Sequence, residues 1–418
     1  MTLRIAVLSV HTCPLAALGG KETGGMNVYV REVARELGRM GVQVDVFTRS
    51  QNPEIPRVVP LGPNCRVIHL PAGPEAPMAR ERVHGHLAEF VSNLETFRRR
   101  EGLTYDVIHA HYWLSGVAGL TLSARWGVPL IQMFHTLGRL KNEVARSPEE
   151  LEPDLRIGEE ERIVGGADRV VASNPAERAH LVWYYRARAD RVSVIPCGVD
   201  LELFHPMDQQ EAKAALGLGP SPLLLSVGRL RPIKGLETLL EAVPLVRAPR
   251  GVRPVLFVIG GDADEPENGH LTHLRERAVG LGLDGTVRFL GAQPQERLRL
   301  YYAAAETTVM PSYYESFGMV ALEAMACGNP VIASRVGGLT STVRDGVTGY
   351  LVPEGDPGIL AERISTILGD AGHRRRLGQE AVRQAAQFQW PCVAEAVCRL
   401  YADYLPQARG HLSEHRCR

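Results

Sequence analysis

Short apolar runs alternate with helical stretches twice along the chain, and this rhythm restricts the fold more than any single motif does. In the first half the runs are 3–10, Val42–Thr48, Arg66–Leu70, Val107–Ala110, Leu130–Phe134 and Arg169–Ala172, with a helix expected near 26–40 after the first of them. After Pro206 the rhythm restarts with Leu223–Val227, Val255–Gly260, Val287–Leu290, Thr307–Met310 and Pro330–Ser334. Buried runs spaced by helices are the pattern of parallel strands joined by crossover connections. The chain therefore reads as α/β with two parallel sheets. Its 418 residues exceed what one hydrophobic core usually holds, which agrees with two domains.

Ile195-Pro196-Cys197-Gly198-Val199-Asp200 closes a strand in Pro and Gly and runs on into Phe204-His205-Pro206, which marks a linker. The expected division is a first domain 1–198, a second 199–388, a helix within 389–405 that crosses back to brace the first, and a disordered tail 406–418. Lys+Arg and Asp+Glu both total 47, so there is no basic excess to hold a polyanion, and nucleic acid is not an expected partner. The seven cysteines are odd in number, scattered and never spaced as CxxC. That argues against a disulfide framework or a zinc knuckle and for a reducing cytoplasm. The run 3–10 is too short for a signal-peptide core with its cleavage site, and no apolar stretch approaches a transmembrane length. Charge runs such as Arg98–Arg100, Glu159–Glu161 and Arg374–Arg376 read as solvated helix faces.

Three stretches carry chemistry. Gly19-Gly20-Lys21-Glu22-Thr23-Gly24-Gly25-Met26-Asn27 feeds directly into a helix pattern, and free amides at a helix N-terminus suit a phosphate, although a plain βα turn also needs glycine. It is not GxGxxG, which weighs against a dehydrogenase. Val227-Gly228-Arg229-Leu230-Arg231-Pro232-Ile233-Lys234-Gly235 sits at a strand end, where Arg229 and Lys234 can clamp a diphosphate and replace a metal ion. The chain has only four lysines, Lys21, Lys141, Lys213 and Lys234, so one in such a turn stands out. Third comes Pro311-Ser312-Tyr313-Tyr314-Glu315-Ser316-Phe317-Gly318-Met319, running on to Glu323. It reads as strand, turn and helix, with Glu315 at the helix entrance and Glu323 roughly 12 Å further along the axis. One carboxylate could hold sugar hydroxyls and the other ribose hydroxyls, with the Ser316–Met319 amides on phosphates between them. Glu323 interrupts an apolar helix face, which costs stability unless something pairs with it.

Together these motifs resemble the retaining glycosyltransferases of family 4. The resemblance covers nearly the whole chain and implies the GT-B fold, two Rossmann-like domains facing across a cleft, the first binding acceptor and the second nucleotide sugar. Gly24-Gly25-Met26-Asn27-Val28-Tyr29, His111-Tyr112-Trp113-Leu114-Ser115-Gly116, and His135-Thr136-Leu137 with Lys141-Asn142 are most similar to the inositol-phosphate glycosyltransferases, with sucrose-phosphate synthases close by. The resemblance implies that Gly25, Arg229 and Lys234 meet the diphosphate of a UDP-sugar, Glu315 its hexose and Glu323 its ribose, with Gly24, Ser316, Phe317, Gly318 and Met319 as further expected donor-binding positions. On the acceptor side it implicates His11, Asn27, Arg80, Tyr112, Thr136 and Arg156, with His135 beside the reacting centre. Arg80 stands where the inositol-phosphate enzymes have Lys, and Glu22 where they have Asp. No cofactor or metal is expected for the chemistry, magnesium is an open question, and a homodimer is compatible. Within the class, a lipid or glycan acceptor is a further alternative; outside it stand a nucleotide-sugar-binding protein without turnover and a nucleotide-sugar 2-epimerase.

Overall fold

The computed structural model describes residues 3–16, 24–261 and 269–405. The lysine and glutamate of the first glycine-rich turn, Lys21 and Glu22, and the expected tail 406–418 lie outside the described residues. The chain forms two compact units, one of residues 3–16, 25–196 and 390–405, the other of 197–389 with Gly24.

The first unit is built on eight strands: β1 (Arg4–Leu8), β2 (Gln43–Arg49), β3 (Val58–Gly62), β4 (Cys65–Leu70), β5 (Val107–His111), β6 (Leu130–Met133), β7 (Arg169–Ala172) and β8 (Val192–Val194). They lie in the order β3-β4-β2-β1-β5-β6-β7-β8. All neighbours pair in parallel except β3, which runs antiparallel to β4. The all-parallel expectation fails there because only Pro63 and Asn64 separate the two strands, and so short a connection can make only a hairpin. Pro60 within β3 is tolerated at the sheet edge. Its proline and glycine also hid this strand in the sequence.

The Gly25–Arg39 helix buries Val30, Val33, Ala34 and Leu37, the i, i+3, i+4, i+7 stripe of a helix lying on a sheet. The Trp390–Ala402 helix packs against it, with the Trp390 and Tyr29 rings edge to face at 5.8 Å. Tyr401 on the same helix reaches the sheet through a 2.7 Å hydrogen bond with His109 Nδ1. Each large apolar side chain buried in this way contributes roughly 1.5–3 kcal/mol. Cys392, also on this helix, is disulfide-bonded, whereas Cys13, Cys65, Cys197, Cys327 and Cys398 are free. A scattered, odd set of cysteines argues against a framework of bridges but does not forbid one bond, and the all-thiol expectation is corrected to that extent.

The second unit carries six parallel strands: β9 (Leu223–Val227), β10 (Val255–Ile259), β11 (Val287–Phe289), β12 (Thr307–Met310), β13 (Val331–Ser334) and β14 (Gly349–Val352), in the order β11-β10-β9-β12-β13-β14. Leu224, Leu256, Val258, Val309 and Ile332 form its core with Leu239 and Leu240 of one helix and Ile364 and Ile367 of another. The four residues of β14 gave no usable apolar run in the sequence.

Candidate active site

Each sheet reverses its order once. β2 lies on one side of β1 and β5 on the other, and β10 lies on one side of β9 with β12 on the other. Connections leaving the carboxyl ends of two such strands diverge, and the crevice they open is the usual ligand position in an open α/β sheet. Most residues singled out in the sequence follow β1, β5, β9 and β12, while Arg80 comes after β4 and His135, Thr136 and Arg156 after β6.

In the second unit, Arg229 and Lys234 occupy the loop that leaves β9. Arg229 is exposed, and Lys234 ends the short Pro232–Lys234 turn. The Lys234 ammonium is ion-paired with the Glu315 carboxylate in the loop after β12, both half-buried. An ammonium has three donors and a carboxylate about four acceptor positions, so the pair leaves both groups capacity for a ligand. The two loops are stitched together. Tyr313 N–H donates to Ile233 C=O at 2.9 Å, and a Cβ on Gly235 would lie 2.1 Å from Pro311 O. Only glycine, here at φ 65°, permits that approach. From the other side, Gly338 N–H donates to Glu315 C=O and Thr342 Oγ1 to Phe317 C=O, each at 2.9 Å.

Those contacts overturn the expectation that Glu315 stands at a helix entrance. The helix spans Met319–Ala326 and follows Gly318 at φ 92°. The carbonyls of Glu315 and Phe317 bond to Gly338 and to Thr342 of the short Leu339–Thr342 helix after β13, so residues 315–318 are irregular and the axial spacing of roughly 12 Å between the two carboxylates does not apply. Ser316, Phe317 and Gly318 thus precede the helix, and its first amides are those of Met319 and Val320, which have no intrahelical carbonyl to bond. Glu323 sits in the second turn, 8% exposed, and Tyr302 OH donates to its Oε2 at 2.8 Å. Burial raises its carboxyl to about 7, against the lowering effect of hydrogen bonds from Tyr302 and Gln295. The Tyr302 hydroxyl is itself pushed well above its usual value by burial and by the nearby carboxylate.

In the first unit, Gly25 begins the helix that carries Asn27, and Gly24, the bend before it in the chain, is grouped with the second unit. Asn27 Nδ2 donates to Thr12 Oγ1 and Cys13 O, both at 2.7 Å, beside His11 at the end of β1. Tyr112 follows β5 at φ 75° and His135 follows β6 at φ 62°. Left-handed backbone in such side chains costs on the order of 1–3 kcal/mol each, persists only where the surroundings over-determine it, and clusters at active sites. Tyr112 is held from several sides. Its N–H donates to Met133 C=O at 2.8 Å, Arg80 Nη1 donates to its hydroxyl at 3.1 Å, the Arg156 guanidinium lies 4.9 Å from its ring centre and the His11 ring 4.4 Å away.

Arg156 is 1% exposed and neutralised from within. Its Nε donates to Glu160 at 2.7 Å, Nη1 pairs with Glu152 at 2.8 Å, and Nη2 donates to Thr136 O and Oγ1 at 2.8 and 3.0 Å. Burial pulls its guanidinium down, but Tyr112, Glu160 and Tyr185 outweigh that and hold it above the usual value. Glu160 corrects another expectation. The run Glu159–Glu161 reads as a solvated face, yet Glu160 is 0% exposed, because it stands one turn after Arg156 on the inner side of the Asp154–Gly166 helix and also accepts from Tyr185 OH at 2.5 Å.

His135 belongs to a cluster that the sequence reading missed. Its Nε2 lies 2.9 Å from His111 Nδ1, and the His111 and His109 rings lie 4.3 Å apart on one face of β5. Burial lowers His109 and His135 to about 3 and His111 well below its ordinary value, so all three are uncharged at neutral pH. The visible signal was His109-Ala110-His111, since residues i and i+2 of a strand share a face. The structure thus joins His11, Arg80, Tyr112, Thr136 and Arg156 through direct contacts and sets His135 on the neighbouring strand end.

Among the described residues no group of three or more His, Cys, Asp or Glu could hold a metal ion, and no described helix is long and apolar enough to cross a membrane.

Residues 23–203 match the family described as Glycosyltransferase Family 4, and residues 208–384 match Glycosyl transferases group 1. D-inositol 3-phosphate glycosyltransferase 2 of Catenulispora acidiphila is 42% identical over 417 residues, 97% of this chain and 96% of its own length. The D-inositol 3-phosphate glycosyltransferase of Nocardiopsis dassonvillei is 42% identical over 407 residues, 95% of this chain and 94% of its own. Among solved structures, the sucrose-phosphate synthase of Thermosynechococcus elongatus superposes with a TM-score of 0.89 at 37% identity, covering 97% of this chain and 99% of that one. With its two sheets, its strand-end clusters and relatives matched over nearly their full length, the chain belongs to the family 4 glycosyltransferases.

Proposed function

We propose that the chain transfers a hexose, glucose or N-acetylglucosamine, from a UDP-sugar to a small phosphorylated polyol of the inositol-phosphate type, with retention of anomeric configuration. The observation that carries the acceptor class is Arg80. Its guanidinium, half-buried, is held on the Tyr112 hydroxyl at 3.1 Å, and a planar fork so placed suits a phosphate monoester. Relatives at 42% identity named as D-inositol 3-phosphate glycosyltransferases support the same class.

In this reading Arg229, Lys234 and the amides at the start of the Met319–Ala326 helix neutralise the diphosphate, where negative charge grows as the sugar bond breaks. Gly24 and Gly25 offer backbone amides suited to a phosphate. Glu315 holds hexose hydroxyls while it also aligns Lys234, and Glu323 accepts from ribose. Breaking the anomeric bond leaves an oxocarbenium-like sugar. The acceptor hydroxyl attacks from the side of the leaving group and passes its proton to a phosphate oxygen, so no protein nucleophile is needed. His11, Asn27, Arg80, Tyr112 and Thr136 orient the acceptor, with Arg156 as the buried prop behind Tyr112 and Thr136. His135, uncharged, lines the reacting centre.

A second reading takes fructose 6-phosphate as acceptor and rests on the 37% identity to a sucrose-phosphate synthase. A matrix of UDP-glucose and UDP-N-acetylglucosamine against inositol 3-phosphate and fructose 6-phosphate, read by product mass, separates the two. Consumption of UDP-N-acetylglucosamine without any acceptor would instead mark an epimerase. Loss of UDP to water alone, with neither acceptor glycosylated, would sink the proposal.

A further inference from the structure

We propose that His111, which is buried, is a positioning residue that fixes the ring orientation and tautomer of His135. This rests on the placement of His135 beside the reacting centre. His135 holds a left-handed backbone at φ 62°, a conformation that a side chain keeps only when its neighbours leave it no alternative. Two such neighbours touch its ring. His111 Nδ1 lies 2.9 Å from His135 Nε2, and the Tyr29 ring meets it edge to face at 5.3 Å.

A hydrogen bond between two uncharged imidazoles needs one N–H and one bare nitrogen. Whichever ring donates, Nε2 of His135 is assigned a role and Nδ1 receives the opposite one, so it presents either a fixed donor or a fixed acceptor. His111 is in turn immobilised. It is 1% exposed, its ring lies 4.3 Å from that of His109, and His109 Nδ1 is hydrogen-bonded at 2.7 Å to Tyr401 OH on the Trp390–Ala402 helix. A segment 292 residues away in sequence thereby closes a continuous line of contacts that ends at His135.

The test is a double-mutant cycle on the full chain. His111→Phe should lower kcat roughly a hundredfold with KM for donor and acceptor within about twofold, because misplacing a group near the reacting centre acts on the transition state. His111→Gln keeps a hydrogen-bonding side chain and should recover part of the loss, and it replaces His111→Phe if that variant does not fold. In a His135→Ala background the same changes should cost less than about twofold. Equal losses in both backgrounds, or full activity of His111→Phe, would overturn the proposal. Ring-nitrogen NMR of the substrate-free protein gives an answer independent of turnover. His135 should populate one tautomer in the parent and a mixture in His111→Phe, and a mixture already in the parent would overturn the inference even if every transfer assay succeeded. A single tautomer in a chain that transfers no sugar would leave His111 as its positioning residue and remove the transferase reading alone.

Discussion

The strand ends of the two units are held in different ways. In the first unit most groups around Tyr112 and His135 are uncharged or already neutralised: three histidines stripped of charge by burial, and Arg156 matched by Glu152 and Glu160, with the half-buried Arg80 guanidinium on the Tyr112 hydroxyl as the exception. The backbone is strained at Tyr112 and His135 themselves, and rigid packing maintains the strain. In the second unit the comparable loops carry charge, with Lys234 and Glu315 half-buried against each other and Arg229 exposed. There glycines and loop-to-loop hydrogen bonds supply the order. In the proposed reaction this would assign acceptor alignment to the first unit and stabilisation of the departing diphosphate to the second.

The largest expected effect tests the charge half. Lys234→Ala should lower kcat by about three powers of ten, roughly 4 kcal/mol, because the ammonium acts mainly on charge that develops in the transition state. The folded state should lose less than about 1 kcal/mol, since the ion pair is partly open to solvent. Steady-state UDP release and thermal unfolding measure the two separately. Activity within threefold of the parent would remove Lys234 from the mechanism and erase the contrast between the units.

Opposite pH responses sharpen it further. His109 and His135 have folded values of about 3 against an ordinary 6.5, so the unfolded chain binds more protons between those limits. Their contribution is intact above 6.5 and falls with acidification, by about 2 kcal/mol each at pH 5. Glu323 is raised to about 7 from an ordinary 4.5, so here the folded chain binds the extra proton. Its contribution is fully present below 4.5 and is lost as pH rises through 7, a difference of about 2–3 kcal/mol between pH 5 and high pH. Hydrogen exchange on the full chain, corrected for intrinsic rates, should show β5 and β6 losing protection from pH 7 to 5 while β12 and the Met319–Ala326 helix gain it. Both regions moving together would break the comparison.

Arg80→Ala tests the acceptor half. Losing one charge-assisted contact to an acceptor phosphate is worth about 1.5–3 kcal/mol. KM for the phosphorylated acceptor should rise at least about tenfold while KM for the UDP-sugar stays within about twofold. Equal shifts for both substrates would move the acceptor phosphate elsewhere. Arg80→Lys should retain binding but lose part of the discrimination between acceptors, because a point charge replaces a fork.

Legibility in the sequence followed the same division. The parallel strands other than β14 were visible because buried runs need no tertiary information to be recognised, and Arg229, Lys234 and Glu315 stood out because charge at a strand end is rare without a reason. What escaped depended on contacts between distant residues. The irregular stretch at Glu315 follows from bonds to Gly338 and Thr342, burial of Glu160 from Arg156 and Tyr185, and the His111–His135 bond from the adjacency of β5 and β6. The antiparallel β3 needed only the hairpin length to be noticed, but its proline and glycine broke the pattern that would have drawn attention to it.

Tyr302→Phe carries the smallest expected effect and probes how the buried carboxylate of the second unit is kept usable. Tyr302 OH donates to Glu323 Oε2 at 2.8 Å and so lowers a carboxyl that burial has raised. Removing the hydroxyl leaves the ring, fully buried beside Phe204 at 6.0 Å, and costs the carboxylate one hydrogen bond, about 1 kcal/mol. The carboxyl should then titrate above 7, and at pH 7 a larger share of the chains should carry a protonated Glu323, which offers ribose fewer acceptor positions. KM for the UDP-sugar should rise about threefold at pH 7 and return towards the parent value by about pH 9, where the carboxylate ionises in both proteins. A KM increase that is constant from pH 6 to 9 would mean that Tyr302 acts by packing, and that Glu323 does not meet the donor as an anion.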